Sequence, residues 1–170
     1  GLDWGYEVVI PATADCAMEG PVGERKYKEW ISQGFRRVAN RPWPPHLHEQ
    51  NAYLMSPAGA HGPSFLVTDN FKAIREYNTS DLYATFVGNL ADRIRGGGDF
   101  VTPWRKVGAQ RTATIRAVQR GLKDRGYPIT IVDGFIGSNT RREAGQFQRA
   151  TGMKVDCWPS KQLVQKLKSG

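Results

Sequence analysis

DNFKAIREYNTSDLYATFVGNLADRIR, residues 69–95, is the stretch whose reading decides the fold. Phe71, Ile74 and Tyr77 recur at the spacing of one helix face. After Asn78-Thr79-Ser80, the residues Leu82, Phe86, Val87, Leu90, Ala91 and Ile94 form a second apolar stripe, with Asp92, Arg93 and Arg95 off it. The pattern predicts two helices meeting at a break near Asn78. Ser80 is the natural N-cap of the second, and Asp81 is well placed against its dipole.

Upstream of Asp69 the helical period is absent. Trp4 to Ile10 is rich in aromatic and β-branched residues and stops at Pro11, which reads as a strand; Gly34–Val38, Ala52–Met55 and Ser64–Thr68 read as further short strands. Pro42, Pro44, Pro45, Pro57, Gly59, Gly62 and Pro63 lie between them, so this part is a loop-rich, small antiparallel sheet, with a short helix around Lys26–Ser32. Downstream, Gly96-Gly97-Gly98, Asp99, Pro103 and Gly108 break any regular element, which places a linker at 96–108. Beyond it three amphipathic helices follow. The first spans about Gln110–Arg125 with Ile115, Val118 and Leu122 inward. The second is opened by the capping-box sequence Thr140-Arg141-Arg142-Glu143, buries Ala144 and Phe147 and ends at Gly152. The third carries Leu163, Val164 and Leu167.

At 170 residues and 39% hydrophobic, the chain is long enough for one ordinary domain or two small ones and too apolar for disorder. It has no apolar run approaching the ~18 residues of a membrane span, and Gly1-Leu2-Asp3-Trp4-Gly5-Tyr6-Glu7 lacks the pattern of a secretory signal. The net charge of +8 is uneven: residues 1–100 hold 10 Lys and Arg against 12 Asp and Glu, whereas residues 101–170 hold 14 against 4. A basic module behind a near-neutral one faces an anionic polymer or simply presents a solvated basic face. Cys16 and Cys157 have no spacing suited to zinc or redox chemistry, and two independent small buried residues are the favoured reading over a disulfide.

Two sets of residues carry family resemblances. Val118-Gln119, Leu122, Gly126-Tyr127, Asp133-Gly134-Phe135-Ile136-Gly137, Thr140, Phe147-Gln148, Gly152, Val155-Asp156 and Leu163 closely resemble the peptidoglycan-binding domain found at the ends of many cell-wall hydrolases. Gly134 and Gly137 then supply backbone freedom in the inter-helix turn, Asp133 bonds local amides and Thr140 caps the second helix. Tyr127, Phe135, Gln148 and Trp158 are the candidate ligand contacts, as groups able to stack on sugars or bond stem peptides; for Phe135 core packing is the favoured alternative. Cys157 departs from the family, which usually has glycine there, and this leaves the local turn open.

The second resemblance is to the C-terminal part of the catalytic domain of B-type lytic murein transglycosylases. It is carried by residues 70–84 and Val87-Gly88-Asn89-Leu90-Ala91-Asp92-Arg93, and upstream by Trp4-Gly5-Tyr6-Glu7-Val8, Glu29-Trp30, Gly34-Phe35-Arg36-Arg37, Pro57-Ala58-Gly59 and Gly62-Pro63. It implies an α+β fold: a small antiparallel β subdomain (1–68) and two helices (70–95) of a lysozyme-like domain, then the linker and a three-helix peptidoglycan-binding bundle (109–170). It also implies that Tyr77, Asn78 and Tyr83 line a glycan cleft. Such enzymes cleave the MurNAc–GlcNAc bond with one glutamate, giving 1,6-anhydro products, and that glutamate lies in a helix with no counterpart in this chain. Glu7, Glu19, Glu24, Glu29, Glu49, Glu76 and Glu143 all fit surface or capping roles; Glu76 is nearest the cleft motif but on the polar side of its helix.

The expected function is therefore peptidoglycan binding, as part of a lytic transglycosylase, without a catalytic residue in this chain. The alternatives are a lytic enzyme completed by another chain and, remotely, a nucleic-acid or acidic-surface binder. Partners are glycan strands and stem peptides, with the missing helices or a second copy covering the apolar stripe of 70–95. No cofactor and no metal are expected, since His46, His48, Glu49 and His61 fall in a proline-rich loop without helical ligand spacing, and no nucleic-acid motif is present. The expected location is the periplasm or cell envelope, with any signal or anchor upstream.

Overall fold

The computed structural model describes residues 3–169; Gly1, Leu2 and Gly170 lie outside them. The strands are β1 (Gly5–Val9), β2 (Arg25–Lys26), β3 (Arg36–Arg37), β4 (Asn51–Met55) and β5 (Ser64–Val67), paired antiparallel in the order β2-β4-β5-β1-β3. In the centre Leu66 lies opposite both Tyr6 and Leu54. Side chains alternate across a strand, so β4 and β5 feed two cores. Leu54 and Leu66 join Tyr27, Trp30, Phe35 and Leu47 on one face, while Tyr53, Met55, Phe65 and Val67 join Trp4, Phe71 and Ala84 on the other. The first face is closed by helix α1 (Tyr27–Ser32), pinned where the Tyr27 hydroxyl donates to the Leu66 carbonyl at 2.8 Å and the Trp30 indole to the Ala52 carbonyl at 3.0 Å.

The sheet differs from expectation at its edges. Strand β2 has only two residues, too short to leave a pattern, and the expected strand at Gly34–Val38 shrinks to β3 because positive φ angles at Gly34, Ala39 and Asn40 turn the chain on either side. Thr68 ends the last strand early: its hydroxyl accepts from the Asn70 amide and caps helix α2 (Asp69–Tyr77). Helix α3 (Asp81–Ile94) follows, with Ser80 as its cap.

The orientation of α3 is set by small residues. Ala84 and Gly88 face the sheet, and a Cβ at Gly88 would meet the Trp4 ring at 2.5 Å. The Trp4 indole in turn donates to Asp92 at 2.7 Å. With its small face inward, α3 leaves Leu82 (56% exposed), Phe86 (64%), Leu90 (45%) and Ile94 (77%) uncovered. Segment 96–111 has no regular structure, yet it is laid along the sheet rather than free. Phe100 packs on Phe65 with ring centroids 5.0 Å apart, the Glu7 carboxylate accepts from the Val101 and Thr102 amides at 2.8 and 2.7 Å, and the Arg105 amide donates to His61.

Helices α4 (Thr112–Asp124), α5 (Ser138–Ala150) and α6 (Lys161–Lys168) pack Val118, Leu122, Ala144, Phe147, Leu163 and Leu167 into a bundle core. The start of α5 corrects the capping-box reading. Gly137 occupies the N-cap without a side-chain bond, and Thr140 sits buried inside the first turn with its hydroxyl accepting from Gln119 at 3.1 Å. Glu143 is buried too and accepts from its neighbour Arg142. Gln119 recruits Thr140, because the same amide also satisfies Asp133 and the Phe135 carbonyl.

The bundle is fastened to the sheet by the other face of α5. Arg141, fully buried, donates from Nε and Nη2 to both oxygens of Glu19 at 2.9 Å, from Nη2 to Asp81 Oδ2 at 2.7 Å and from Nη1 to the Ile136 carbonyl at 3.0 Å. Glu19 is therefore no surface residue; a carboxylate with no exposure survives only because a buried guanidinium meets it. One turn on, Gly145 admits the one-turn helix Cys16–Met18: a Cβ there would lie 2.5 Å from Cys157 Sγ and 2.7 Å from Ala17 Cβ. Arg149 reaches Asp15 at 2.6 Å. Cys16 and Cys157 form a disulfide with Cα atoms 6.1 Å apart, where independent cysteines were expected. Cys157 adopts φ 57°, the region glycine occupies freely, and is held there by the cross-link and by its amide donating to the Gln148 side-chain oxygen.

The cross-link closes a loop of 141 residues, so its reduction is expected to lower stability by about 2–5 kcal/mol in denaturant unfolding, with and without dithiothreitol. Burial pushes the Glu19 carboxyl up to about 7 although Arg141 pulls it down. The folded chain thus holds this proton more tightly than the unfolded chain, and the stabilisation, complete below about pH 4.5, is lost as pH rises through about 7. The melting temperature of the chain relative to a Glu19→Gln variant should fall across that window.

Candidate functional site

The α2–α3 turn is built from its own polar side chains. The Asn78 side-chain oxygen accepts from the Ser80 amide at 3.0 Å, Ser80 Oγ accepts from the Tyr83 amide at 3.3 Å, and Arg75 Nη2 donates to the Thr79 carbonyl at 3.1 Å. This local bonding leaves Tyr77 86% exposed at the end of α2, with its ring stacked on that of Tyr83 at 6.3 Å and 28°. Two aromatic faces side by side on an open surface suit the apolar face of a sugar ring.

Facing this turn is the 133–137 loop of the bundle. Asp133 accepts from Gln119 and from the Phe135 amide, both at 2.9 Å; burial raises its carboxyl, but those donors outweigh burial and hold it below the usual carboxylate range. Gly134, at φ 82°, has Thr112 Cγ2 2.4 Å from where a Cβ would stand, so only glycine closes this loop. The loop turns Phe135 outward, 74% exposed, against the core packing favoured from sequence.

Between the two lies a cavity of about 720 Å³, walled by Asn78 and Leu82 on one side, by Phe135, Ile136 and Trp158 on the other, and floored by Asp81 and Arg141. Three of its charged groups are matched to one another, since Arg141 meets Asp81 and Arg75 Nε lies 3.0 Å from Asp81 Oδ1, while the fourth, Asp133, is held by its amide donors. What remains for a ligand is amide, hydroxyl, apolar and aromatic surface. The Trp158 indole N–H has no partner among the described residues, while its ring meets that of His61 edge-on at 6.3 Å. A smaller cavity of about 340 Å³, between β1, Arg37 and the end of α3, contains none of the candidate residues.

The structure thus brings Asn78, Phe135 and Trp158 to one cavity, with Tyr77 and Tyr83 on the turn that bounds it. Two candidates fall elsewhere. Tyr127 packs edge-on against Phe147 at 5.9 Å on the bundle core. Gln148 is buried, donating to Asp156 Oδ1 at 2.7 Å and accepting from the Asp156 and Cys157 amides at 3.1 and 2.9 Å, so its amide is engaged in holding the turn. Arg75, Asp81 and Arg141 were missed by sequence reasoning. The available signal was Arg141, Gly145 and Gln148 at helical spacing on the face adjoining that of Ala144 and Phe147. Among the described residues no three His, Cys, Asp or Glu are grouped to hold a metal, and no helix is long and apolar enough to cross a membrane.

The family described as "Transglycosylase SLT domain" matches residues 1–92, and the one described as "Putative peptidoglycan binding domain" matches residues 111–167. Two crystal structures of SltB3 from Pseudomonas aeruginosa share the fold. One, in complex with NAG-anhNAM-pentapeptide, is 37% identical with a TM-score of 0.84 over 99% of this chain. The other, in complex with NAG-NAM-pentapeptide, is 38% identical with a TM-score of 0.84 over 98%. The chain spans 45% of the length of either. Among curated proteins none matches it.

Candidate contacts and structural residues separate by substitution. Gln148→Leu should cost about 2–4 kcal/mol, since it strands two backbone amides. Phe135→Ser should change stability by less than ~0.5 kcal/mol. Paired thermal melts check both.

Proposed function

Because the chain belongs to the transglycosylase SLT domain family and carries a peptidoglycan binding domain behind it, we propose that it binds peptidoglycan as the C-terminal part of a lytic transglycosylase of the cell envelope. On this reading residues 1–95 are the later part of a catalytic domain, 96–108 the connection and 109–170 the binding domain. The parent activity is cleavage of MurNAc–GlcNAc bonds to 1,6-anhydro-muropeptides. The observation that carries the reading is the shared cavity: Asn78 of one matched domain and Phe135 and Trp158 of the other face the same space. SltB3, similar over nearly the whole of this chain, was crystallised with a glycan–pentapeptide. Sugar rings would stack on Tyr77 and Tyr83, and stem-peptide groups would meet the Asn78 amide and the apolar surface of Phe135 and Trp158.

No acid/base residue is proposed in this chain. Glu76 is exposed on the polar side of α2, and Glu19 is sealed behind Arg141. The excess of cations in residues 101–170 adds long-range attraction to stem-peptide carboxylates. A second reading, lysis once another chain completes the cleft, has its own observation in the uncovered Leu82, Phe86, Leu90 and Ile94, an apolar face at helical spacing suited to a helical partner.

Incubated with isolated sacculi and sedimented, the chain should enter the pellet and release no 1,6-anhydro-muropeptides by mass spectrometry of the supernatant. Retention should weaken as salt rises toward ~0.5 M. Anhydro products would overturn the absence of a catalytic group here, and protein left in the supernatant would overturn the binding reading.

A further inference from the structure

The ion pairs beneath the cavity form a continuous line between the two matched domains. Arg141 of α5 holds Glu19 with two donors and Asp81 Oδ2 with a third contact at 2.7 Å. The other oxygen of Asp81, Oδ1, is ion-paired with Arg75, 3.0 Å from its Nε, and Arg75 donates from both Nε and Nη2 to the Thr79 carbonyl, at 3.4 and 3.1 Å. Asn78, Thr79 and Ser80 are themselves exposed, and their remaining bonds are local to the turn and the first residues of α3. Arg75 is thus the turn's side-chain anchor to the body of the protein, and its guanidinium is oriented by Asp81. Asp81 is in turn oriented by a residue 60 positions away in the binding domain.

We propose that Arg141 is a positioning residue, fixing the 78–80 turn through Asp81 and Arg75, so that the binding domain sets the shape of the glycan-facing surface instead of serving only as a tether. The idea that this surface meets peptidoglycan rests on the function proposed above. Arginine is required by geometry. Its planar fork supplies donors to Glu19, Asp81 and the Ile136 carbonyl at once, in directions that a single ammonium nitrogen cannot span. Arg75 has to bridge a carboxylate and a carbonyl, for which the same fork serves. The Cys16–Cys157 disulfide keeps the domains attached independently of these pairs, which makes the positioning effect separable from simple detachment.

The test uses the full oxidised chain with Arg141→Lys, Arg75→Gln and the double variant. Hydrogen exchange is read at the Ser80 and Tyr83 amides, with residues 69–74 as internal reference, and calorimetric titration uses soluble NAG-anhNAM-pentapeptide. Each single variant should speed exchange at those two amides and weaken binding by about tenfold, and the double variant should be no weaker than either single one, because both break the same line. Lysine at 141, though it keeps the charge, should not rescue. Exchange at Ser80 and Tyr83 unchanged in Arg141→Lys, or losses that add in the double variant, would overturn the proposal. Should Arg141→Lys fail to fold, Arg75→Gln decides alone, since Arg75 lies at the partly exposed end of the line: faster turn exchange upholds the line and unchanged exchange overturns it. If the unsubstituted chain does not bind the pentapeptide ligand, the proposed function fails, and the exchange result by itself upholds or overturns the positioning role.

Discussion

A guanidinium with almost no exposure, set between two carboxyl groups, leaves the chain little freedom: the Arg141 charge is tolerable only while both of its partners stay in place. Arg141 comes from α5, Glu19 from the loop after the first strand and Asp81 from the start of α3. Satisfying all of them at once therefore fixes the bundle against both the sheet and the helix pair. The cost of burying these charges is several kcal/mol each, and well-packed apolar residues would hold the same parts together at least as firmly. What the charges add is direction. Apolar contacts tolerate sliding, whereas the paired bonds from Arg141 to Glu19 accept one register only.

Around this pair the other contacts are permissive rather than decisive. Gly145 allows the Cys16–Met18 turn to approach α5, the disulfide forms where that approach brings the sulfurs together, and Cys157 accepts a left-handed backbone to do so. Asp156 extends the junction on the same side, its carbonyl accepting from the Ala60 amide at 2.9 Å. The cavity is a by-product of this junction: it is the space left where the 78–80 turn and the 133–137 loop face one another above the ion pairs. A ligand there would touch both matched domains, and its affinity would depend on a geometry that neither supplies alone.

The helix pair shows the same economy on its outer side. Small residues, Ala84 and Gly88, admit Trp4 to the underside of α3, and the large apolar residues of that helix are left facing outward. Four large apolar side chains, Leu82, Phe86, Leu90 and Ile94, thus form one exposed face at helical spacing.

Much of the fold was legible in the sequence because periodicity is a local property. The strand at the N-terminus, the break at Asn78, the Ser80 cap and the bundle helices all follow from which side chains recur at which spacing, and the resemblance carried by residues 70–84 placed Tyr77 and Asn78 on a candidate surface. Short-range patterns gave out where a residue's role depended on something distant in the chain. Thr140 reads as a cap until Gln119 claims its hydroxyl, Gln148 reads as a ligand contact until the Asp156 turn uses its amide, and Glu19 reads as a surface acid until Arg141 arrives from 122 residues away. Phe135, whose apolar character argued for the core, points outward because the loop geometry at Gly134 turns it there. By itself the sequence determined the longer elements, the Ser80 cap and the two families they resemble, since these rest on neighbours within a few residues. Only the tertiary structure decided that the cysteines pair and that Asn78 and Trp158 share a cavity, because those depend on a buried charge finding partners that no local spacing encodes.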